Sequence, residues 1–278
     1  MHKVWFITGI GRGLGRELAE QLLASGHSVF GTARSTSELQ DLIAKYPDAL
    51  AVEPLDLADG APRFADVIEA AVTRFGGIDV LVNNAGYGLF GAAEGIEEEH
   101  LRRQLEVNLI APMLLTKHAL PQMRAQGKGT IVAISSYGGQ ATHPGASVYH
   151  ASKWGLEGYF ESLSKEVGSF GLRVLIVEPG AARTSFRSAA AEHLSDTPPG
   201  YDQTPIASLG SVLRDPARNP IGDPTKIAAA IIEATDNPTE ALRLVLGSDA
   251  YTNITTALSQ RLDQVENQRL SASWTDFT

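Results

Sequence analysis

Val4-Trp5-Phe6-Ile7-Thr8-Gly9-Ile10-Gly11-Arg12-Gly13-Leu14-Gly15 is the stretch that decides the fold. Its first four residues are apolar without a break, the mark of a strand buried on both faces. The glycines follow at once, and after them Leu14, Leu18 and Leu22 recur on one side of a helix that Gly26 would cap. Strand, glycine turn and helix N-terminus together make an anion site. Unpaired N–H groups and the positive helix end face the ligand, and glycines let a pyrophosphate approach the backbone. The strict G-x-G-x-x-G pattern fails here; the spacing is Thr8-Gly9-x-x-x-Gly13-x-Gly15. A tight turn without a ligand is the plain alternative.

Downstream the same unit repeats. Strands are expected at 28–33, 50–55, 78–82, 130–134, 173–177 and 242–246. Ser35 and Glu38 have capping-box spacing for a helix carrying Leu39, Leu42, Ile43 and Tyr46. Phe64, Val67, Ile68, Ala71, Val72 and Phe75 mark another helix, with Pro62 in its first turn, and a long helical pattern from about Glu97 to Leu120 has Pro112 as its kink. Such alternation predicts an α/β fold, a doubly wound, mostly parallel sheet of the Rossmann type with helices on both faces. Residues 1–278 read as one domain. The stretch 181–220, rich in Pro, Gly, Ala and Ser, reads as a long loop or loose substrate lid. A helix opens at Asp223-Pro224, and a C-terminal helix at about 249–270 carries Tyr251, Ile254, Leu258, Leu262 and Val265 as a stripe expected to dock on its own domain.

Bulk properties narrow the partners. A formal charge of −9 argues against nucleic acid, whose binders usually show a basic face. The chain has no cysteine, which removes disulfide and thiolate chemistry and is compatible with the expected cytoplasmic location. The opening apolar run is too short for a signal peptide, and no run approaches the ~18 residues of a membrane span. The 7 histidines show no paired ligand spacing, so no metal is expected, and His143 and His150 read as wall or surface. Glu97-Glu98-Glu99 reads as a solvated first turn. No G-x-S-x-G elbow supports a hydrolase.

Tyr149-His150-Ala151-Ser152-Lys153 puts a phenol and an ammonium on one face of a helix that continues through Leu156, Tyr159, Phe160, Leu163 and Val167. A free phenol has a pKa of about 10, and a cation close by favours the phenolate and draws that value toward the working range. A tyrosine so placed can give a proton to a carbonyl oxygen or take one from an alcohol. On the second strand, Thr32-Ala33-Arg34 lacks the carboxylate that an NAD site places about 20 residues beyond the glycines. Arg34 and Arg12 would instead suit a 2′-phosphate through forked guanidinium pairing, which favours NADP(H).

With these residues assembled, the sequence resembles the short-chain dehydrogenase/reductase family, in its single-domain branch, from about residue 3 to 247. Gly9, Arg12, Gly13, Leu14 and Gly15 lie in what looks like its cofactor turn. Asp56, followed by Leu57, matches its adenine-contacting acid. Asn83-Asn84-Ala85-Gly86 matches its sheet-stabilising, cofactor-adjacent motif. Pro179 and Gly180, followed by Thr184, look like the segment that meets the nicotinamide amide. The resemblance implies four catalytic residues: Asn108, Ser136, Tyr149 and Lys153. Ser136 is taken over Ser135 because the family's serine lies 13 residues before its tyrosine. By resemblance, Tyr149 donates the proton, Ser136 hydrogen-bonds the same oxygen, Lys153 holds the nicotinamide ribose, and Asn108 orders a water beside Lys153. The implied activity is NADPH-dependent reduction of a moderately apolar carbonyl compound, reversible as an alcohol dehydrogenase. Tyr87 to Phe90, Tyr137 to His143 and the 181–220 segment would shape the pocket. Homo-oligomers, dimers or tetramers, are common among such proteins. The other class in view is a dinucleotide-sensing binding protein without catalysis.

Overall fold

A computed structural model describes residues 2–59, 61–215, 217 and 219–277. In chain order the elements are β1 (Val4–Thr8), α1 (Gly13–Ala24), β2 (Ser28–Ala33), α2 (Gln40–Lys45), β3 (Leu50–Pro54), α3 (Phe64–Phe75), β4 (Val80–Asn83), α4 (Glu98–Leu105), α5 (Ala111–Gln126), β5 (Gly129–Ile134), α6 (Ser147–Val167), β6 (Leu172–Pro179), α7 (Phe186–Glu192), α8 (Leu209–Arg214), α9 (Pro224–Asp236), β7 (Arg243–Leu246), α10 (Ser248–Glu266) and α11 (Arg269–Ala272). The strands form one parallel sheet in the order β3-β2-β1-β4-β5-β6-β7. It is the doubly wound fold that the strand-helix alternation predicts.

Side-chain alternation explains why the strands read as unbroken apolar runs. Phe6, Leu81, Ile131 and Ile176 point to one face and join Phe64, Leu115 and Phe160 from α3, α5 and α6. Trp5, Ile7, Val82, Val132 and Val177 point to the other and join Leu18 and Leu22 of α1 and Ile231 of α9. Both faces are covered, so both sets must be apolar. Strand order reverses between β1 and β4, which opens a crevice at their carboxyl ends, where ligands of such sheets bind.

Four local expectations are revised. The Ser35/Glu38 capping box does not form. Ser35 Oγ accepts from the Ser37 N–H at 3.2 Å, and a 3₁₀ turn, Ser37–Leu39, leads into a short α2. The long helix is broken by a π turn, Glu106–Ile110, with Pro112 in the first turn of α5. A proline gives no N–H to the carbonyl four residues back and crowds it, and the wider turn accommodates both effects.

The 181–220 lid is neither structureless nor loose, although residues 216 and 218 of it lie outside the described residues. It contains α7 and α8, whose Ala190, Leu209 and Leu213 pack on Phe90 and Tyr149. It is also stitched down by the Ser195 N–H donating to the Phe90 carbonyl at 2.9 Å. Its apolar residues are too few per helix for a periodic signal. Finally, the α10 stripe does not dock on its own domain. Ile254 is buried, but Tyr251, Leu258, Leu262 and Val265 are 47–67% exposed. Among the described residues, no helix is long and apolar enough to cross a membrane.

Candidate active site

The glycine turn is built by contact. Gly9 has φ +74, and a Cβ there would stand 2.9 Å from the Ala85 Cβ. A Cβ on Gly15 would fall 2.4 Å from the Gly9 carbonyl oxygen and 2.4 Å from Asn84 Nδ2. That amide donates to the Thr8 and Gly9 carbonyls at 2.8 and 3.2 Å, which ties the end of β4 to the turn. Thr8 Oγ1 accepts from the N–H groups of Asn84 and Ala85, both at 3.0 Å. Asn83 is turned the other way; it is buried, and its Nδ2 donates to Thr116 of α5 at 3.0 Å. No side chain caps the first turn of α1, so its N–H groups face the crevice unpaired by a cap.

Asn108, Ser136, Tyr149 and Lys153 converge beside that crevice. All four are buried, between 1% and 8% exposed. Asn108 lies in the π turn. Its Oδ1 accepts from the Tyr87 N–H at 3.1 Å, while Nδ2 donates to the Tyr87 carbonyl at 2.9 Å and to Ser152 Oγ at 3.2 Å. Gly86 fills the space between it and the lysine: a Cβ there would stand 3.2 Å from Asn108 Oδ1 and 3.8 Å from Lys153 Nζ. Lys153 Nζ donates to the Ile134 carbonyl at 2.8 Å, which fixes α6 to the end of β5. Ser136 starts the next turn, its Oγ accepting from the Gly138 N–H at 3.0 Å.

The electrostatics differ from the simple expectation that Lys153 draws the phenol down. Burial pushes Tyr149 up to about 12, with a hydrogen bond from Ser136 opposing it. Lys153 Nζ stands 6.0 Å from the Tyr149 ring centroid and spends its short hydrogen bond on Ile134. Burial lowers Lys153 itself to about 8, against the nearby Glu157 charge. The pair therefore shares a face, as the spacing predicts, without an ion pair between them.

A family model for short chain dehydrogenases matches residues 3–195. The chain belongs to the short-chain dehydrogenase family. A solved short-chain dehydrogenase from Streptomyces avermitilis is 40% identical, with a TM-score of 0.89 over 99% of this chain and 98% of that one. The 3-ketodihydrosphingosine reductase of Bacteroides thetaiotaomicron is 33% identical over 243 residues, covering 85% of each protein. A metagenomic short-chain oxidoreductase solved with NADP is 27% identical, with a TM-score of 0.69 over 88% of this chain and 96% of that one.

In this short-chain dehydrogenase the remaining sequence-selected residues surround the crevice unevenly. Arg12 and Arg34 are exposed at its β1–β2 end. Asp56 is half-buried; its Oδ1 accepts from the Ala58 N–H at 2.9 Å and its Oδ2 meets Arg103 of α4 at 3.0 Å, while Leu57 is buried in the core. Leu14 packs against the core beneath the turn. The Pro179–Gly180 turn is held by Asp249, whose Oδ2 accepts from the Ala181 N–H at 2.8 Å and whose Oδ1 occupies the place of a Gly180 side chain. Thr184 reaches across to Gly13, its Cβ 3.6 Å from where a Gly13 Cβ would be.

Three features escape sequence reasoning. The Glu38 carboxylate lies 3.9 Å from where a Gly11 Cβ would stand, a negative charge on the turn that the second strand does not announce. His150, a wall residue by sequence, is a clamp. Its Nδ1 pairs with the Gly138 carbonyl at 2.8 Å and its Nε2 takes the His143 N–H at 3.2 Å, which assigns a neutral ring with the proton on Nδ1. Burial lowers its pKa, consistent with that state. The Tyr149 ring is lined by Phe90 at 5.7 Å and Phe186 at 5.8 Å, so the lid brings an aromatic from α7 onto the phenol.

Proposed function

We propose that this protein is an NADPH-dependent reductase of a moderately apolar carbonyl compound, with Tyr149 as the proton donor. The observation that carries the proposal is the convergence of Asn108, Ser136, Tyr149 and Lys153 at the strand ends beside an uncapped helix N-terminus. The cradle fits a dinucleotide, because Gly9 and Gly15 let the turn pack directly on Ala85 and Asn84, and the first N–H groups of α1 are left without a side-chain cap at the crevice. Gly9, Gly13, Leu14 and Gly15 would hold the pyrophosphate. Arg12 and Arg34 would hold a 2′-phosphate, Asp56 and Leu57 the adenine, and Ala85, Gly86, Lys153, Pro179, Gly180 and Thr184 the nicotinamide half. The bound cofactor supplies the hydride.

The chain's own residues handle the proton and the growing charge. A phenol held at about 12 is almost wholly protonated near neutrality and still far more acidic than an alcohol, so it is suited to giving its proton to a carbonyl oxygen as charge develops there. The Ser136 hydroxyl, fixed by Gly138, supplies a second hydrogen bond to that oxygen. The Phe90, Phe186 and His143 rings, with Leu209 and Leu213 behind them, exclude water and favour an apolar substrate. The name of the Bacteroides relative, a 3-ketodihydrosphingosine reductase, agrees with reduction of a ketone.

Glu38 favours a second cofactor reading. A carboxylate beside the turn suits free ribose hydroxyls and repels a phosphate, so NAD(H) competes with NADP(H). A homo-oligomer is also proposed, since α10 leaves its apolar stripe uncovered; light scattering reads its mass. The decisive assay mixes purified protein with NADPH or NADH and a panel of ketones, aldehydes and quinones, with Tyr149→Phe alongside. Equal turnover by wild type and variant would remove Tyr149 from the mechanism.

A further inference from the structure

Behind the proposed site, and outside its mechanism, lie two carboxylates from different elements. Glu157 follows Lys153 by one turn of α6 and is 4% exposed, and Glu178, near the end of β6, is 1% exposed. Arg243 of β7 is the cation between them, its Nε 3.0 Å from Glu157 Oε2 and 3.4 Å from Glu178 Oε1, while its Nη2 meets Glu161 at 2.7 Å. Gln140 Nε2 adds a donor to Glu157 Oε2 at 3.4 Å.

One guanidinium thus faces three carboxylates, two of them buried. Two buried carboxylates that draw on a guanidinium already engaged by Glu161 disfavour full ionisation of the pair. Burial, then the Glu157 charge, holds the Glu178 carboxyl well above the ordinary carboxylate range. Glu157 Oε1 and Glu178 Oε1 are both buried without a hydrogen-bond partner among the described residues, which a retained proton between the two carboxyls would resolve.

The pair's position gives it a role. Ser135 Oγ, buried and without a partner among the described residues, stands 2.7 Å from where a Gly139 Cβ would lie, and Glu157 Cγ and Oε1 stand 2.8 and 3.0 Å from the same point. The Ser135–Gln140 segment, which carries Ser136, therefore rests directly on Glu157. Glu178 immediately precedes the Pro179–Gly180 turn. The same carboxylate of Glu157 holds up the Lys153 ammonium against its burial. Ser136, Lys153 and the nicotinamide-facing turn thus lean on a single cluster.

We propose that Glu157 and Glu178 share one proton, and that in this singly protonated state they are positioning residues that hold the Ser136 turn, α6 and the Pro179–Gly180 turn in mutual register. Neither reaches the reacting atoms. The charged groups facing the pair are Arg243 from β7 and Lys153 and Glu161 from α6, Glu161 itself pairing with Lys165 at 3.3 Å. The 137–140 turn contributes the neutral Gln140 and Tyr137, and α10 contributes Asp249, which is engaged with Ala181. Loss of the shared proton at higher pH leaves two carboxylates facing each other across one arginine and drives the segments apart.

The catalytic half of this proposal rests on the reductase reading; the shared proton does not. Infrared spectra of wild-type protein with isotope-labelled glutamate are expected to show a carboxylic-acid C=O band at mildly acid pH that fades as pH rises through about 7 and is absent from Glu178→Gln. The sign of the stability effect follows from a raised carboxyl. Its contribution is complete below the unfolded-state pKa and is lost as pH rises through the folded one, so wild type should lose urea resistance across that window while Glu178→Gln stays flat.

In turnover, Glu178→Gln, which keeps the neutral partner, should match wild type at mildly acid pH and outlast it as pH rises through about 7. Glu157→Gln should lose on the order of 10- to 100-fold in kcat with KM little changed. An infrared spectrum of wild type at mildly acid pH with every buried carboxyl ionised would overturn the proposal, and so would identical pH–stability slopes in wild type and Glu178→Gln. If wild type turns over no carbonyl compound, the reductase reading fails, while the infrared and stability measurements still decide the shared proton.

Discussion

Replacing Lys153 by methionine should abolish turnover yet make the fold more resistant to urea at neutral pH. Lys153 is 5% exposed, and burial lowers its pKa from 10.5 to about 8. A depression of that size corresponds to about 3 kcal/mol spent on keeping the ammonium charged in the fold at pH 7. Methionine fills a similar volume without that cost, but it leaves the Ile134 carbonyl without its 2.8 Å donor, a loss of about 1–3 kcal/mol. The net expectation is therefore a gain of up to about 2 kcal/mol near pH 7.

The pH dependence is the sharper test, because its sign is fixed by linkage. Between the folded and unfolded pKa values, from about 8 to 10.5, the unfolded chain binds more protons than the fold. Wild-type stability should rise there relative to the variant, by up to about 1.4 kcal/mol per pH unit. Tyr149, held at about 12, is common to both proteins and cancels in the comparison. Urea melts of the pair at several pH values from 7 to 10 provide the readout. Parallel stability curves, with no convergence above pH 8, would refute the assignment of Lys153 as a charged residue held at a cost for function.

Other expectations follow from the same geometry. Tyr149→Phe should lower kcat/KM by about 10²- to 10⁴-fold in a carbonyl-reduction assay, with the melting temperature little changed, because the ring keeps its packing on Phe90 and Phe186. Arg34→Ala should weaken kcat/KM for NADPH by about fivefold, the value of one exposed phosphate contact, and leave NADH unaffected; Glu38→Gln should shift preference toward NADPH. An unchanged NADPH/NADH ratio in both variants would remove these residues from cofactor choice. Asn108→Leu should destabilise the protein by about 1–3 kcal/mol in urea melts, since it leaves the Tyr87 N–H without its acceptor, while the Tyr87 carbonyl keeps Gln104 Nε2 and Ser152 keeps the Tyr149 carbonyl.

What the sequence disclosed was whatever is local along the chain. The β1 run, the glycine spacing and the Tyr149/Lys153 interval are all set by one strand, one turn or one helix face, and the fold follows from their repetition. Features that depend on which elements become neighbours were hidden. The α10 stripe has the same spacing whether or not anything covers it, so its 47–67% exposure had no sequence signal. In α7, the packing residue Ala190 lies in an alanine-rich run with no amphipathic contrast, and so the lid read as loop.

The expected effect of Lys153 on Tyr149 failed for a related reason. Helical spacing places the two side chains on one face, but it says nothing about the Ile134 carbonyl that claims the ammonium. The acidity of a buried group is set by contacts from other strands, and here Arg243, 86 residues from Glu157, belongs to that set. A motif can therefore be complete in the sequence while its working pKa values remain a property of the sheet behind it. In this chain the route from that sheet to the phenol runs through the Ser136 turn and Lys153, the two segments that rest on Glu157.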